Sequence, residues 1–178
     1  MSRGPIGLAP LEALEGRALL AASGAGLHSL AQSPAQYAQI DTIRIPGNPV
    51  TSFDISYVDS TTHRLYFSDR SNGSVDIIDS RTNKFLGRVG GFVGLPAGGK
   101  EVGGPNGIVA VGHREIWATD GDSTIKVIEL NASLNGGTIV QTIPTGGKFR
   151  ADEIDYDPKD HLIAAVNNND QPPFVSFI

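Results

Sequence analysis

A group of acidic side chains lies close together near the end of the sequence. Asp152 and Glu153 are adjacent, and Asp155 and Asp157 follow at every second residue. If these carboxyl groups crowd together, repulsion raises the pKa of one of them and creates a general base. The alternative, which the sequence favours, is that Asp157-Pro158 opens a turn and the other carboxylates face water.

Pairs of Asp and Asn residues recur along the chain. The pairs are Asp69 with Asn72, Asp120 with Asp122, and Asn167 with Asp170. A residue type that returns at each repeat usually satisfies a tight hairpin, as the Asn72-Gly73 dipeptide does. The functional alternative is a ring of weak acidic sites on one rim, where Glu153, Asp120 and Asp122 are the candidates for ligand binding.

The composition excludes several classes of site. The 178 residues include no Cys, which excludes disulfides, thiolate metal sites and a cysteine nucleophile. With 14 basic and 19 acidic residues the net charge is -5, which argues against a general electrostatic grip on nucleic acid or anionic lipid. The sequence contains no Gly-x-Ser-x-Gly elbow, phosphate loop or dinucleotide fingerprint. No apolar run reaches the roughly 18 residues that a membrane-spanning helix needs.

The elements that must position these residues are strands. From about residue 38 the chain consists of short β-branched and aromatic runs separated by Gly, Asn, Asp and Pro. Three stretches align with one another, 53–79, 106–130 and 152–178. The aligned positions are Ile55 with Ile108 and Ile154, Leu65 with Ile116 and Leu162, and Val75 with Ile125 and Phe174.

Each stretch, together with a neighbouring strand that ends at glycine, supplies four short strands in about 45 to 55 residues, a period typical of a β-propeller blade. A single four-stranded sheet has two apolar faces, and stacking the sheets covers both. We therefore predict an all-β fold over residues 38–178, built as an incomplete propeller of about three blades. The predicted blades are 53–91, 105–147 and 151–178, the last one incomplete.

Residues 1–37 have a different composition and are predicted to be a short helical or flexible leader. Helical spacing of apolar residues predicts an amphipathic helix over Pro10–Ala22. The run LEALEGRALLA resembles an element near the start of many exported planctomycete proteins. This resemblance implies an export-related leader and an extracellular or periplasmic location; the alternative is a plain flexible leader.

The two ends of the predicted propeller are incomplete. The strand predicted over Gln39–Ile45 matches the outermost strand of the repeats, and the chain stops at Ile178 inside the third strand of the third blade. We expect the N-terminal part of a longer protein; the alternative is a short chain that assembles blades from several subunits. The apolar run from Phe174 to Ile178 lacks its outer partner, which predicts self-association through open blade edges.

The repeats resemble bacterial YVTN/NHL-type propeller proteins from about Asp54 to the end of the chain. The runs that carry the resemblance are Ser68 to Asp79, Gly104 to Gly107, Glu115 to Ile128 and Ala151 to Pro158. The resemblance implies an exported repeat fold. Because that fold carries hydrolases, lyases, redox enzymes and pure binding modules, it implies no particular reaction.

Pro105-Asn106-Gly107 resembles the Pro-Asn-Gly motif of gluconolactonase/regucalcin-type propellers. This resemblance implies that Asn106 and Asp152 are ligands of a divalent cation such as Ca²⁺, each directly before the innermost strand of a blade. The corresponding residue of the first blade is Phe53, which cannot bind a metal, and no match is found for the family's glutamate. The structural alternative is that Asn106 and Asp152 cap turns through hydrogen bonds to the backbone.

Three functions remain open from the sequence. The preferred one is an exported, non-catalytic binding or scaffold module whose ligand is a protein, a glycan or a small molecule. The second is a metal-dependent hydrolase of the lactonase type, which depends on Asn106 and Asp152. The third is a structural repeat segment of a larger cell-surface protein.

Overall fold

A computed structural model of the chain describes residues 37–96 and 103–178. All regular secondary structure in these two ranges is β-strand, arranged as three antiparallel sheets, which confirms the predicted all-β class. The sheets are open, and their closure into a propeller remains a prediction. The leader helix predicted over Pro10–Ala22 lies outside the described residues. In the same two ranges no helix is long and apolar enough to cross a membrane.

Each sheet is a meander of strands joined by short hairpins. Sheet I contains β1 (Tyr57–Asp59), β2 (Arg64–Asp69), β3 (Ser74–Asp79) and β4 (Lys84–Gly90). Sheet II contains β5 (Ile108–Val111), β6 (Glu115–Thr119), β7 (Thr124–Leu130) and β8 (Gly137–Pro144). Sheet III contains β9 (Ile154–Asp157), β10 (Leu162–Asn167) and β11 (Phe174–Phe177). Sheets I and II even share a register shift at the same place, after Ile77 and after Val127.

The hydrogen-bond register identifies the equivalent residues of the three sheets and corrects the sequence alignment by one residue in places. Leu65 and Ile116 correspond to Ile163, not to Leu162, and Val75 and Ile125 correspond to Val175, not to Phe174. Burial agrees with this correction, since Ile163 is 2% exposed and Leu162 is 43% exposed. The alignment slipped because the hairpin before β6 is one residue shorter than the corresponding hairpins of sheets I and III.

Sheet II lies between the other two sheets and has both faces covered. One apolar cluster joins sheets I and II, and its buried members are Tyr66, Val75, Ile77, Val89, Ile108, Ile116, Ala118, Ile128 and Leu130. A second cluster joins sheets II and III, with Val109, Ile125, Ile163 and Ala165 buried. Because side chains alternate between faces along a strand, Ile116 faces sheet I while Trp117 packs in the cluster with sheet III.

The chain before β1 differs from the prediction. Residues 39–45, predicted as a strand, form none in the structure. Side-chain hydrogen bonds attach this segment and the residues after it to sheet I: Asn83 Nδ2 donates to Asp41 Oδ2 over 3.2 Å, and Arg88 donates to the carbonyl oxygen of Pro46. The alternating apolar residues of this segment therefore lie beside a sheet without joining its ladder. Ile55, which the sequence alignment matched with the buried Ile108, is 43% exposed.

Candidate functional site

Three residues occupy the same place just before the first strand of their sheets. The backbone N–H of Asp54 donates to Ser68 O (3.1 Å), that of Asn106 to Thr119 O (2.9 Å), and that of Asp152 to Val166 O (2.8 Å). The residue of sheet I that corresponds to Asn106 and Asp152 is therefore Asp54. The assignment of Phe53 to this position was wrong by one residue, for the same reason as the slips described above. Each sheet thus presents an oxygen-bearing side chain at this position.

The side chain of Asn106 is completely buried and is bound on both ends. Its Oδ1 accepts hydrogen bonds from Arg70, at 2.9 Å from Nε and 2.5 Å from Nη2. Its Nδ2 donates to the carbonyl oxygen of Ala151 over 2.6 Å. Arg70 also forms an ion pair with Asp54. The guanidinium group of Arg70 therefore neutralises the carboxylate of Asp54. It also donates to Asn106 Oδ1, the atom that would bind the cation in the metal hypothesis.

Asp152 is likewise bound by basic and amide groups. Its Oδ2 accepts hydrogen bonds from Arg150 Nη2, at 3.1 Å, and from Asn168. Its backbone oxygen accepts from Gly107 N, at 2.9 Å, and from the hydroxyl of Thr119. The segments that carry Asn106 and Asp152 are therefore neighbours, and each side chain faces an arginine. No group of three or more His, Asp or Glu residues suited to a metal ion occurs among the described residues.

A repeated contact joins each sheet to the segment before it. In each case a polar side chain from the hairpin between the second and third strands accepts a hydrogen bond from the backbone N–H that lies one or two residues after a glycine with positive φ. The pairs are Asn72 with Asn48 (2.7 Å), Asp120 with Val93 (3.1 Å), and Asp170 with Lys148 (2.9 Å). The glycines are Gly47, Gly91 and Gly146, with φ of 107°, 103° and 89°. We call these contacts the inter-sheet clasps.

The clasps explain why Asp and Asn recur in this hairpin. Asp120 is completely buried and also accepts the N–H of Gly121 over 2.7 Å. Asp120 is therefore not accessible to a ligand, unlike the rim site predicted from the sequence. Asp122 is 44% exposed and pairs with Lys126 at 3.1 Å. Lys126 lies 3.6 Å from Asp120 as well, so one ammonium group serves both carboxylates.

Sheet I carries a different charge arrangement at the position of Lys126. There the buried residue is Asp76, which accepts a hydrogen bond from Ser74 Oγ (2.9 Å) and pairs with Arg88 Nε (3.1 Å). The pKa of Asp76 is raised to about 7, because burial, the largest effect, and nearby Asp69 raise it by more than the Ser74 hydrogen bond and the Arg88 charge lower it. Arg88 therefore links a buried acid to the carbonyl oxygen of Pro46.

Two of the remaining acidic candidates border an accessible cleft. Glu153 and Asp155 are exposed and border a space of about 390 Å³ together with Ile55, Ile154, Ala164 and Val166. Asp157 accepts the backbone N–H groups of Lys159 and Asp160, at 2.9 and 3.4 Å, which is the geometry expected when Asp157-Pro158 opens a turn. The cleft brings carboxylates and apolar side chains to one surface, and it is the accessible part of the predicted site.

Two residues at this site were missed by sequence reasoning. The sequence alignment placed Phe53, the residue before Asp54, at this position. A one-residue gap in the hairpin between β5 and β6 would have aligned Asp54 with Asn106 instead. Arg70 carried no signal in the sequence because it follows β2, and only the fold brings it to Asn106, 36 residues later in the chain.

Comparison with known proteins adds no relationship: no family model matches the chain, and no curated protein is significantly similar to it.

Proposed function

We propose that this chain is an exported β-propeller repeat segment that acts as a binding or scaffold module. The observation that supports this proposal is that the recurrent polar residues form structural hydrogen bonds within the fold. Asp120 and Asp170 bind backbone groups of the segment that follows the preceding sheet, so they hold sheets together, and Asn72 binds the segment before sheet I in the same way. The accessible carboxylates, Glu153 and Asp155, border an open cleft with apolar walls, a surface suited to a peptide, a glycan or a small molecule.

The second candidate is a metal-dependent hydrolase of the lactonase type. One observation favours it: Asp54, Asn106 and Asp152 place oxygen atoms at the same register position of three successive sheets. For a divalent cation to bind there, it must displace Arg70 from Asn106 and Asp54, which costs two charge-assisted contacts. The scaffold function needs no such rearrangement.

Calorimetry and turnover assays distinguish the two functions. We expect Ca²⁺ to bind more weakly than a dissociation constant of about 10⁻⁵ M, the range of calcium sensors. We expect no hydrolysis of a panel of aliphatic lactones and aryl esters in the presence of Ca²⁺, Mg²⁺, Mn²⁺ or Zn²⁺. Lactone turnover that is lost in both Asn106→Ala and Asp152→Ala, and kept in Asp122→Ala, would establish the hydrolase instead. Tight Ca²⁺ binding with the same pattern would establish the metal site alone.

A positive test of the module uses nuclear magnetic resonance. The ¹⁵N-labelled protein is titrated with a set of neutral oligosaccharides and a set of short basic peptides. The proposal expects amide shifts around Glu153 and Ile154 with at least one probe, and weaker shifts in the variant Glu153→Gln. Shifts that cluster at Asp122 or at β8 instead would place binding elsewhere on the surface.

A further inference from the structure

Asparagine is followed by glycine at three places in the chain, at 72–73, 106–107 and 135–136. In such a pair the backbone nitrogen of the glycine can attack the side-chain amide carbon of the asparagine, because glycine has no Cβ to obstruct the approach. The attack needs a glycine N–H that is not held by another acceptor, and it needs an asparagine Nδ2 that is able to leave. The three pairs differ in both respects.

The Asn106-Gly107 pair is held at both of these atoms. The N–H of Gly107 donates to the backbone oxygen of Asp152 over 2.9 Å. The Nδ2 atom of Asn106 donates to the carbonyl oxygen of Ala151 over 2.6 Å, and the side chain is completely buried. Attack would break both hydrogen bonds inside the fold, so its barrier is higher than in an open chain.

The Asn72-Gly73 pair is held in the same way by its own hairpin. The N–H of Gly73 donates to Arg70 O at 3.3 Å, and Asn72 Nδ2 donates to Asp69 Oδ2 over 2.6 Å. The Oδ1 atom of Asn72 belongs to the inter-sheet clasp with Asn48. The reacting groups of this pair are therefore committed to hydrogen bonds of the fold.

The Asn135-Gly136 pair lies in the hairpin between β7 and β8 and is arranged differently. Among the described residues, neither the N–H of Gly136 nor the Nδ2 of Asn135 donates a hydrogen bond. The Oδ1 atom of Asn135 accepts one from Asn131 Nδ2 over 2.9 Å, in an exposed contact. The nucleophile and the leaving group are thus both unengaged, while the carbonyl group under attack is polarised.

The backbone fixes the direction of the contact between the two asparagines. The N–H of Asn135 donates to Asn131 Oδ1 over 3.2 Å. Because a backbone N–H can only donate, the other end of the Asn131 side chain is its amide nitrogen, and the Asn135 atom that faces it is the oxygen. Asn131 therefore offers a donor to the atom on which negative charge develops during the attack, as the donors of an oxyanion hole do.

We propose that Asn135-Gly136 is a site of self-catalysed deamidation, promoted by the side-chain amide of Asn131. A bond forms between the nitrogen of Gly136 and the Cγ of Asn135, and the bond from Cγ to Nδ2 breaks. The proton lost by the glycine nitrogen leaves with Nδ2 as ammonia, and a cyclic imide remains. Water then opens the imide at one of its two carbonyl carbons, which gives aspartate or isoaspartate at this position.

The modification changes a contact between sheets I and II, and it does not depend on the binding function proposed above. The carbonyl oxygen of Asn135 lies against Gly87 on β4, where there is no room for a Cβ. Arg64 Nε donates to the carbonyl oxygen of Leu134 over 3.0 Å. Isoaspartate adds one carbon to the main chain at this place, and both products add a negative charge, so this contact is loosened.

Peptide mapping by mass spectrometry tests the site in protein aged at a mildly alkaline pH, where the glycine nitrogen loses its proton more readily. Asn135 is expected to deamidate at least about tenfold faster than Asn72 or Asn106, because only those two pairs must break hydrogen bonds first. Deamidation of Asn72 or Asn106 at the rate of Asn135 or faster overturns the proposal.

Ageing the same protein in guanidinium chloride separates the effect of the structure from that of the local sequence. In the unfolded chain the hydrogen bonds of all three pairs are lost, so the three rates are expected to converge. A preference for Asn135 that stays as large as in the folded protein overturns the structural assignment.

The variant Asn131→Asp tests the donor without removing the turn. It keeps the acceptor for the N–H of Asn135 and replaces the donor by a carboxylate oxygen. Deamidation of Asn135 is expected to slow by about two- to tenfold, the effect of one ordinary hydrogen bond. Ser133→Ala, a change in the same hairpin, is the matched control and is expected to age like the wild type. An unchanged rate in Asn131→Asp, or an equal slowing in Ser133→Ala, overturns the part assigned to Asn131.

Discussion

At the scale of single residues, Asp120 holds three parts of the fold together. Its carboxylate accepts the backbone N–H groups of Val93 and Gly121 and lies 3.6 Å from Lys126. Burial raises its pKa, while these backbone hydrogen bonds and Lys126 act in the opposite direction. Such a group contributes through its partners, because the N–H of Val93 loses its acceptor when the carboxylate is removed, while Lys126 keeps only Asp122.

We expect Asp120→Ala to lower the free energy of unfolding by about 3 kcal/mol, the usual cost of removing one partner of a buried ion pair. The exposed Asp122 provides the control, since it binds the same lysine from the surface. Asp122→Ala is expected to cost less than about 1 kcal/mol. Urea unfolding followed by the fluorescence of Trp117 measures both, and equal losses would contradict the structural role of Asp120.

Asp76 makes stability depend on pH. Its folded-state pKa, about 7, lies above the value of about 4 expected for an aspartate in an unfolded chain. Between these values the folded protein holds a proton that the unfolded chain has lost. The contribution of Asp76 to stability is therefore fully present below about pH 4 and is lost as the pH rises through about 7.

We expect Asp76→Asn to remove this dependence while keeping the size of the side chain. Thermal unfolding of both proteins at pH values from about 5 to about 8 gives two curves. Their difference isolates Asp76 from the other carboxylates: the variant should gain stability relative to the wild type as pH rises. Parallel curves would mean that Asp76 keeps an ordinary pKa in the folded protein.

At the scale of elements, the strands differ in how well their backbone is covered. β7 has a hydrogen-bonded strand on each side and buried residues from Ile125 to Ile128. β11 has one neighbour, β10, and alternates between half-buried and exposed residues. Local opening should therefore cost much less free energy at β11 than at β7.

Hydrogen exchange at a concentration where the protein is monomeric tests this difference. We expect the amides of β7 to exchange slowest and close to the rate set by global unfolding, and those of β11 to exchange orders of magnitude faster. β3 occupies the same central position in sheet I and serves as the internal comparison. Protection of β11 equal to that of β3 would show that its outer edge is covered.

At the scale of the whole molecule, the three sheets form a stack in which sheet III touches sheet II through the second apolar cluster. In such a stack a local loss of packing acts first on the nearest interface. Trp117 packs in that cluster, so its fluorescence reports the contact between sheets II and III.

We expect Ile163→Ala to destabilise this interface by about 2 to 4 kcal/mol, because it removes a buried branched side chain. The fluorescence transition of Trp117 should then move to lower urea than the transition measured by far-ultraviolet circular dichroism. Leu162→Ala is the control on the same strand and should leave both transitions almost unchanged, since Leu162 is 43% exposed. Coincident shifts in Ile163→Ala would show that the stack unfolds as one unit.

The sequence by itself determined the class of structure and the positions of the strands. Alternating apolar residues and turn signals are local properties, so β2, β3, β6, β7 and β10 follow from nearby residues alone. The recurrence of Asp and Asn in one hairpin also pointed to a structural role there, which the clasps of Asp120 and Asp170 explain. Gln39–Ile45 shows the limit of this reasoning, because its pattern suits a strand but the described structure gives it no ladder partner.

Only the tertiary structure decided which residues share a position and what surrounds them. The hairpin before β6 is one residue shorter than the hairpin before β2, so the residue of sheet I that corresponds to Asn106 is Asp54 and not Phe53. The sequence could not show this, because register depends on hydrogen bonds between strands. Arg70 reaches Asn106, and Arg88 reaches Pro46, across gaps of 36 and 42 residues. Contacts of this kind depend on how sheets stack, a property of the whole chain that no short stretch of sequence encodes.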